Sequence, residues 1–279
     1  MGWERVVGRG YTPAERWVVR FKGGRSAFAK VGVTESTAAW LRAEHRVYTQ
    51  LRGDFLPLLL GWYDDDDRPI LLLEDLSEGH WPPPWDEALV RRVLRMLEGV
   101  RSTPPPSGLP ALEDWRRTLT CWVHVAGDPG TFVAMGFCST PWLDRALPIL
   151  LEAEARAALA GSELLHFDVR SDNVCFAGER TLLVDWNLAA VGNPAMDVVA
   201  WMPSLMFEWG SQAERLGPKE PELAALVTGY FAHNARLPGI PEAPRVRQVQ
   251  REQLTTALPW AARLLGLLPP DGPALVKGR

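Results

Sequence analysis

The sequence predicts an α+β protein in two lobes: a small antiparallel sheet that carries one helix, followed by a larger, mainly helical lobe. Strand-like runs dominate residues 1–76, helical periodicity dominates the chain beyond them, and the glycine- and proline-rich stretch EGHWPPPW lies at the change of pattern. We therefore place the boundary near Leu76. Residues 1–76 form the first lobe and residues 77–279 the second, with a cleft expected between them.

Three strands are predicted at the start of the chain. Residues 3–9 and 16–21 form a hairpin around the turn-forming stretch GYTPAE, and a third strand follows over residues 25–33. Because side chains alternate between the two faces of a strand, Phe28 and Lys30 point to the same face.

An amphipathic helix is predicted from Thr34. Apolar side chains recur at helical spacing as far as Leu51, and Glu44 lies within this apolar stripe. A carboxylate that faces inward is costly unless it meets a cation, and Lys30 on the preceding strand is the nearest candidate in sequence. The alternative is a slightly rotated helix with Glu44 at its solvated edge, and the helix alone favours neither arrangement.

A second hairpin is predicted over residues 56–76, with Asp64–Asp67 at its tip and residues 70–73 as its final strand. Four consecutive acids could hold a metal ion. Such a run is more often a solvated tip that discourages edge-to-edge pairing of sheets, and we favour that interpretation.

Helices are predicted beyond the linker. Residues 85–100 form an amphipathic helix that ends before TPPPSGLP, and residues 111–125 and 141–160 are also helical, the latter ended by Gly161. Further helical segments continue towards the C-terminal stretch LLPPDGPALVKGR.

Charged and polar residues interrupt the apolar segment 164–187, LLHFDVRSDNVCFAGERTLLVDWN. The run VCFAGERTLLVDW predicts a tight hairpin with AGER as its turn, which brings Asn173 beside Asp185. An amide oxygen and a carboxylate at the mouth of a hairpin form a hard oxygen site suited to Mg²⁺ held on the phosphates of a nucleotide. Asp168 lies in the same loop and need not be a ligand.

These motifs resemble the protein-kinase-like fold. HFDVRSDN has the spacing His-x-Asp-x-x-x-x-Asn, and Asp185 follows Asn173 by twelve residues. The next stretch, DWNLAAVGNPAMDVVAWM, is similar to that of the aminoglycoside phosphotransferase family of small-molecule kinases, and the resemblance covers roughly residues 5–210. It implies a two-lobed protein-kinase-like fold and an ATP-dependent kinase that phosphorylates a hydroxyl of a small molecule.

The resemblance implies roles for three residues of the charged segment. Asp168 matches the catalytic aspartate that accepts or orients the proton of the acceptor hydroxyl. Asn173 and Asp185 match the Mg²⁺ ligands. His166 matches a side chain that mainly holds the catalytic loop together.

Four residues of the first lobe match the nucleotide site of the family. Lys30 matches the strand lysine that reaches the α- and β-phosphates of ATP, and Glu44 matches its helix partner, which agrees with the inward placement. The stretch LLLEDL matches the hinge, where the backbone of Glu74 and Leu76 would hydrogen-bond the adenine.

The acceptor is a small hydroxylated molecule by the same resemblance: an aminoglycoside, an amino sugar, an amino alcohol or a related antibiotic. Glu208 and Trp209 lie where these kinases shape the acceptor pocket, and an acid flanked by aromatic residues would suit a cationic amine. Core packing is the alternative for the tryptophans. Antibiotic resistance and a metabolic role both stay open.

The sequence departs from the family pattern at three places. Phe167 stands where the family often carries glycine, VRSD replaces the common LHPG, and Asn193 stands where an aspartate usually precedes the proline. None of these changes removes a group that the chemistry needs. Arg170 and Ser171 leave the local substrate contacts open.

Two rival functions are weighed. Only eleven residues separate Asp185 from Asp197, which is too short for the activation segment with which a protein kinase docks a peptide. The alternative from another class is a pseudokinase, a nucleotide-binding or scaffolding module without turnover. The catalytic, metal-binding and nucleotide-binding residues are all present, so the sequence gives no sign of a decayed site.

Composition excludes several other classes. A net charge of −4 at pH 7 and a pI near 5.8 give no electrostatic footprint for nucleic acid or an anionic membrane. The three cysteines show no metal-like spacing and are expected to be buried thiols. We find no membrane-spanning stretch or apolar leader and expect a cytoplasmic protein, whose oligomeric state the sequence leaves open.

Overall fold

The computed structural model describes residues 2–5, 13–241 and 243–278. It contains two compact units. The first comprises Met1–Pro110 and Glu163–Val191, and the second comprises Ala111–Ser162 and Gly192–Arg279. The predicted boundary near Leu76 falls inside the first unit, because the helix after the linker and the hairpin of the charged segment both belong to that unit. The division into lobes at Leu76 stays a prediction.

The first unit contains a five-stranded antiparallel sheet. Its strands are β1 (Gly2–Arg5), β2 (Glu15–Arg20), β3 (Ser26–Val31), β4 (Leu59–Tyr63) and β5 (Ile70–Glu74), in the spatial order β1-β2-β3-β5-β4. Residues 6–12, predicted as the end of the first strand and part of the hairpin tip, lie outside the described residues. Strand register places Arg16 opposite Lys30 and Val18 opposite Phe28.

Helix α1 (Glu35–Gln50) begins where the sequence predicts it. Thr34 is its N-cap: the Thr34 side chain accepts a hydrogen bond from the backbone N–H of Thr37, and the Thr37 hydroxyl accepts one from the backbone N–H of Thr34. The buried face of α1 includes Leu41, Val47 and, between them, Glu44.

The first two carboxylates of the acidic tip between β4 and β5 accept hydrogen bonds from the protein. Both oxygens of Asp64 accept hydrogen bonds of 2.8 Å from the Arg42 guanidinium, and Asp65 accepts the backbone N–H groups of Asp67 and Arg68. Within the described part of the chain, no cluster of three or more His, Cys, Asp or Glu could hold a metal ion. Asp64–Asp67 are all exposed, as expected for a solvated tip.

The first unit is completed by helix α2 (Glu87–Arg101) and by four short strands, the last of which ends at the first residue of the next stretch of the second unit. These are β6 (Glu163–Leu165), β7 (Val174–Ala177), β8 (Arg180–Leu183) and β9 (Ala190–Gly192). Strand β6 pairs with β9, and β7 pairs with β8 as an antiparallel hairpin in which Ala177 lies opposite Arg180. The hairpin with its turn at AGER is thus present.

The second unit is helical. It contains α3 (Arg116–Leu119), α4 (Trp122–Gly127), α5 (Pro129–Ala134), α6 (Thr140–Arg156), α7 (Ala195–Trp209), α8 (Pro221–Asn234) and α9 (Val246–Leu264). Its buried core includes Trp122, Leu150, Trp201 and Leu258.

Two predicted helices of this unit are wrong in detail. Residues 111–125 are not one helix, because the buried Glu154 carboxylate accepts the backbone N–H groups of Cys121 and Trp122 and so starts a new helix there. Helix α6 ends at Arg156, before Gly161, because the carbonyls of the next residues accept other donors, including Arg116 at Ala157.

Two further predictions concern the cysteines and membrane-spanning segments. Cys121, Cys138 and Cys175 are buried and form no disulfide. Among the helices that the structure describes, none combines the length and the apolar composition needed to cross a membrane.

Candidate active site

A cavity of about 260 Å³ lies in the first unit, lined by the sheet, by the segment after β5 and by the β7–β8 hairpin. Its apolar lining includes Val18, Phe28, Leu73, Leu76 and Val184. Its polar lining consists of Arg16, Lys30, Glu44, Glu74, Asp75, Ser77, Asp172, Asn173 and Asp185. The cavity thus brings together residues that are far apart in the sequence, such as Lys30 and Asp185, which are 155 positions apart.

Lys30 is held between two carboxylates. Its Nζ atom lies 2.7 Å from Glu44 Oε2 and 2.6 Å from Asp185 Oδ1, and the Glu44 side chain is only 1% exposed. Burial lowers the pKa of Lys30, but the charges of Asp185 and Glu44 raise that pKa above its ordinary value. The structure therefore shows the inward arrangement of Glu44, with Lys30 as its cation.

Asp168 is oriented by Asn173. The Asn173 amide group donates through Nδ2 to the Asp168 carbonyl at 2.9 Å and to Asp168 Oδ2 at 2.8 Å. Burial raises the pKa of Asp168 to about 6, while the nearby Arg170 guanidinium acts in the opposite direction. A carboxylate whose pKa lies close to neutrality is suited to accept a proton and release it again.

Asn173 and Asp185 meet at the mouth of the hairpin. Val174 pairs with Leu183, and the backbone N–H of Val184 donates to the Asn173 carbonyl at 3.0 Å. The Asn173 nitrogen is occupied by Asp168, which leaves the amide oxygen for a ligand. Burial raises the pKa of Asp185 and the Lys30 charge lowers it, with a net lowering that keeps this group a carboxylate.

The donor set fits Mg²⁺. The Asn173 amide oxygen and the second Asp185 oxygen, Oδ2, accept no hydrogen bond within the described part of the chain. Carboxylate and amide oxygens are ligands that Mg²⁺ takes, usually beside water and substrate phosphates.

The profile of the phosphotransferase enzyme family matches residues 2–239, which is most of the chain. The chain belongs to the phosphotransferase enzyme family. The predicted family is confirmed, and the enzyme is a small-molecule phosphotransferase. A search of the curated proteins found none that matches the chain.

Solved structures share the fold of this phosphotransferase. A thermostable mutant of aminoglycoside phosphotransferase APH(4)-Ia aligns with a TM-score of 0.60 and 16% identity, covering 95% of this chain and 94% of that one. A mutant of that enzyme in complex with ADP and hygromycin B aligns with a TM-score of 0.54 and 14% identity over 99% and 94% of the two chains. Macrolide 2′-phosphotransferase MphH from Brachybacterium faecium aligns with a TM-score of 0.51 and 17% identity, covering 96% of this chain and 92% of that one.

A further solved structure shares the fold. A choline/ethanolamine kinase family protein from Mesorhizobium loti aligns with a TM-score of 0.51 and 13% identity over 100% of this chain and 91% of that one. At such identities the likeness shows the common fold. The α+β, protein-kinase-like fold class predicted from the sequence is confirmed.

His166 of the phosphotransferase is a structural side chain. It is fully buried, its Nε2 atom lies 2.9 Å from the Val184 carbonyl, and its Nδ1 atom accepts the backbone N–H of Asp168 at 3.3 Å. Burial lowers the pKa of His166 to about 4, so the ring is neutral near pH 7. These contacts tie the loop of Asp168 to the hairpin, which agrees with the role that the resemblance implies.

Glu74, in the stretch predicted as the hinge, makes side-chain contacts that the sequence did not reveal. Its carboxylate forms two hydrogen bonds, of 2.7 and 3.1 Å, with the Arg180 guanidinium, which also donates to the Leu56 carbonyl. The Glu74 backbone N–H donates to the Leu58 carbonyl at 2.9 Å. Glu74 therefore anchors the turn of the β7–β8 hairpin to the end of β5.

Three residues that sequence reasoning did not assign contact the site. Arg16 lines the cavity and lies opposite Lys30 across the strand pair, a position that the alternation of β2 could have indicated. Trp81 lines the cavity together with Leu76 and Ser77. Arg170 Nε lies 3.4 Å from Asp168 Oδ1 and 3.0 Å from Asp172 Oδ1.

The backbone at Phe167 has a conformation that bears on one departure from the family pattern. Its φ angle is +63°, in the left-handed region that glycine adopts without strain. The glycine common at this position in the family suits that conformation, and this phosphotransferase places a phenylalanine there instead.

Glu208 and Trp209 lie at the C-terminal end of α7, in the second unit, and both are half-buried. Trp201, on the same helix, is fully buried and belongs to the core. The acceptor role of Glu208 and Trp209 stays a prediction.

Proposed function

We propose that this phosphotransferase transfers the γ-phosphoryl group of ATP to a hydroxyl of a small molecule. The observation that carries the proposal is the linked set of Lys30, Asp185, Asn173 and Asp168: the first three line one cavity, and Asn173 orients the fourth. Charge neutralisation, a hard-cation site and an oriented carboxylate are the groups that phosphoryl transfer requires.

The nucleotide occupies the cavity of the first unit in this proposal. The aligned APH(4)-Ia complex contains ADP, which supports a nucleotide site in this fold. The backbone of Glu74 and Leu76 takes the adenine, and Lys30, held by Glu44, takes the α- and β-phosphates. Bound Mg²⁺ would neutralise charge on the phosphates.

Asn173 and Asp185 hold the Mg²⁺ ion in this account. Lys30 orients one Asp185 oxygen, which leaves the other for the cation, and the hydrogen bond from Asn173 Nδ2 to Asp168 aims the amide oxygen away from the loop.

Asp168 acts on the acceptor. Its carboxylate aligns the attacking hydroxyl and takes its proton as the bond to phosphorus forms, and much of the rate comes from this positioning. With a pKa of about 6, Asp168 is mostly ionised near pH 7 and able to accept the proton.

The acceptor class is an aminoglycoside, an amino sugar, an amino alcohol or a related antibiotic. The aligned structures support this range, since their descriptions name hygromycin B, a macrolide phosphotransferase and a choline/ethanolamine kinase family. Glu208 and Trp209 would contact a cationic amine of such an acceptor.

The test is nucleotide consumption by the purified protein with Mg²⁺ and a panel of these acceptors. Turnover stimulated by one acceptor class and lowered about a hundredfold or more in Asp168→Asn supports the proposal. Asp144→Asn, at an exposed position on α6, is the matched control and should keep wild-type turnover.

Two other outcomes have different meanings. Mg²⁺-dependent nucleotide binding with no turnover on any acceptor would favour the pseudokinase alternative. A protein that binds no nucleotide would contradict the proposed function itself.

A further inference from the structure

The carbonyl oxygen of Leu76 is fully occupied. It accepts the backbone N–H of Gly79 at 3.0 Å and the indole Nε1–H of Trp81 at 3.1 Å. A peptide carbonyl has two lone pairs, so these two donors saturate it. Leu76 and Trp81 both line the cavity, at the end where the hinge lies.

The backbone N–H of Leu76, unlike the carbonyl, has no hydrogen-bond partner among the described residues. At this residue the hinge therefore offers a ligand one donor and no vacant acceptor.

The two purines differ in what they need from such an edge. Adenine presents an amino donor and the acceptor N1, so N1 can take the Leu76 N–H while the amino group donates to the Glu74 carbonyl of the proposed hinge. Guanine presents the acceptor O6 and the donor N1–H in the reversed order, so it must place O6 on the Leu76 N–H and find an acceptor for N1–H beside it. The neighbouring acceptor is the Leu76 carbonyl, whose lone pairs are taken, and a buried donor without a partner is costly.

We propose that Trp81 sets the purine preference of this enzyme by occupying the second lone pair of the Leu76 carbonyl, so that adenine nucleotides are taken and guanine nucleotides are rejected. This inference rests on the proposed function, in which the purine binds at Glu74–Leu76. It adds a specificity-determining residue to that site.

Of the two donors to the Leu76 carbonyl, only the Trp81 indole can be removed by substitution. The Gly79 N–H belongs to the main chain and stays in any variant. The Trp81 ring packs against a small buried cluster that includes Leu76, Cys175 and Leu182, and phenylalanine keeps an aromatic ring there without the N–H. Trp81→Phe therefore frees one lone pair of the carbonyl while preserving much of the packing.

The first experiment uses the wild-type chain and three nucleotides, ATP, GTP and ITP, with Mg²⁺ in a competition or calorimetric binding assay. We expect GTP and ITP to bind at least about tenfold more weakly than ATP. ITP carries the O6 and N1–H of guanine without its 2-amino group. Rejection of ITP thus identifies hydrogen bonding at the O6/N1 edge as the cause, without any substitution in the protein.

The second experiment repeats the series with Trp81→Phe. The ratio of GTP to ATP affinity should rise about three- to tenfold, the value of one neutral hydrogen bond, and the ITP ratio should rise with it. Trp62→Phe is the control for loss of a tryptophan, since Trp62 stacks on His45 and does not line the cavity. That variant should leave both ratios unchanged.

Several results would overturn the inference while leaving the proposed function intact. They are equal binding of ATP and GTP by the wild type, tight binding of ITP beside rejection of GTP, and an unchanged ratio in a folded Trp81→Phe. If Trp81→Phe does not fold, the nucleotide series on the wild type decides. Failure of all three nucleotides to bind would instead reject the proposed function.

Discussion

Lys30 and Glu44 form a buried ion pair, with 2.7 Å between Lys30 Nζ and Glu44 Oε2. Helix α1 supplies the acid and strand β3 the cation, so the pair fixes the helix against the sheet. The same lysine reaches Asp185 at the end of the hairpin. The position of α1 is thereby linked to a carboxylate that we assign to the metal.

Glu44→Gln should lower kcat/KM for ATP about tenfold or more, because a charge-assisted hydrogen bond of about 1.5–3 kcal/mol is lost and Lys30 is then drawn to Asp185 alone. Steady-state kinetics with varied ATP measures this change. Glu35→Gln, exposed in the first turn of the same helix, is the control. An unchanged kcat/KM in a folded Glu44→Gln would show that the pair is structural only.

Arg16 adds a second positive charge to the end of the cavity that holds Lys30, because the two residues are directly opposed in the sheet. Arg16→Gln should weaken ATP binding about three- to tenfold and leave AMP binding nearly unchanged, since only the triphosphate extends to the cations. Calorimetric titration with both nucleotides measures the difference. Arg20→Gln, on the same strand but outside the cavity, should affect neither; equal weakening of ATP and AMP by Arg16→Gln would contradict the assignment.

Gly79 has no room for a side chain. A Cβ atom there would lie 2.3 Å from Cys175 Sγ and 3.2 Å from the Leu76 carbonyl oxygen. Gly79→Ala should therefore cost about 1–3 kcal/mol in the free energy of unfolding and weaken ATP binding, because the hinge must shift. Chemical denaturation measures the first effect.

Cys175→Ala in the Gly79→Ala background should restore part of the lost stability, since the clashing sulfur is removed. Gly99→Ala, in α2, is the matched control: its Cβ meets nothing within 4 Å, and it should stabilise the protein by about 0.5–1 kcal/mol. If the double variant recovers none of the lost stability, the cost of Gly79→Ala does not come from a clash with the Cys175 sulfur.

Glu154 makes stability depend on pH. Burial raises the pKa of the Glu154 carboxyl from its ordinary value of 4.5 to about 7. The hydrogen bonds from the backbone N–H groups of Cys121 and Trp122 act in the opposite direction and lower that pKa. Between those two values the folded chain keeps a proton that the unfolded chain releases. The contribution of Glu154 to the free energy of unfolding therefore falls as pH rises from about 4.5 to 7.

Glu154→Gln should remove that slope. As the pH is raised from 5 to 8, the free energy of unfolding of the variant should increase relative to that of the wild type by on the order of 1–3 kcal/mol. Denaturant unfolding at each pH measures this difference. Glu152→Gln, exposed on the same helix, should keep the wild-type slope. A parallel pH dependence of wild type and Glu154→Gln would mean that Glu154 is ionised in the folded chain throughout.

The sequence predicted the parts of the site that follow from local periodicity. Strand alternation placed Lys30 beside Phe28, the helical stripe offered an inward Glu44, and the AGER turn brought Asn173 to Asp185. In each case a regular repeat fixes the direction of the side chain, and the partner is reached within one element or one turn.

The missed features depend on contacts that no repeat specifies. The indole of Trp81 reaches the Leu76 carbonyl because the chain turns back at Gly79, and irregular turns leave little trace in hydrophobic periodicity. The helix break at Cys121 depends on Glu154, which follows 33 residues later. The single helix predicted over residues 111–125 is interrupted by that tertiary contact.

The central claim is transfer of a phosphoryl group to a hydroxyl with Asp168 as proton acceptor, and product analysis tests it most directly. ³¹P NMR of wild-type enzyme with ATP, Mg²⁺ and an acceptor of the proposed class should show ADP and a new phosphate monoester in equal amounts. Asp168→Asn should show neither on the same time scale. Release of inorganic phosphate without a monoester, or an Asp168→Asn variant that forms the monoester at the wild-type rate, would contradict the account.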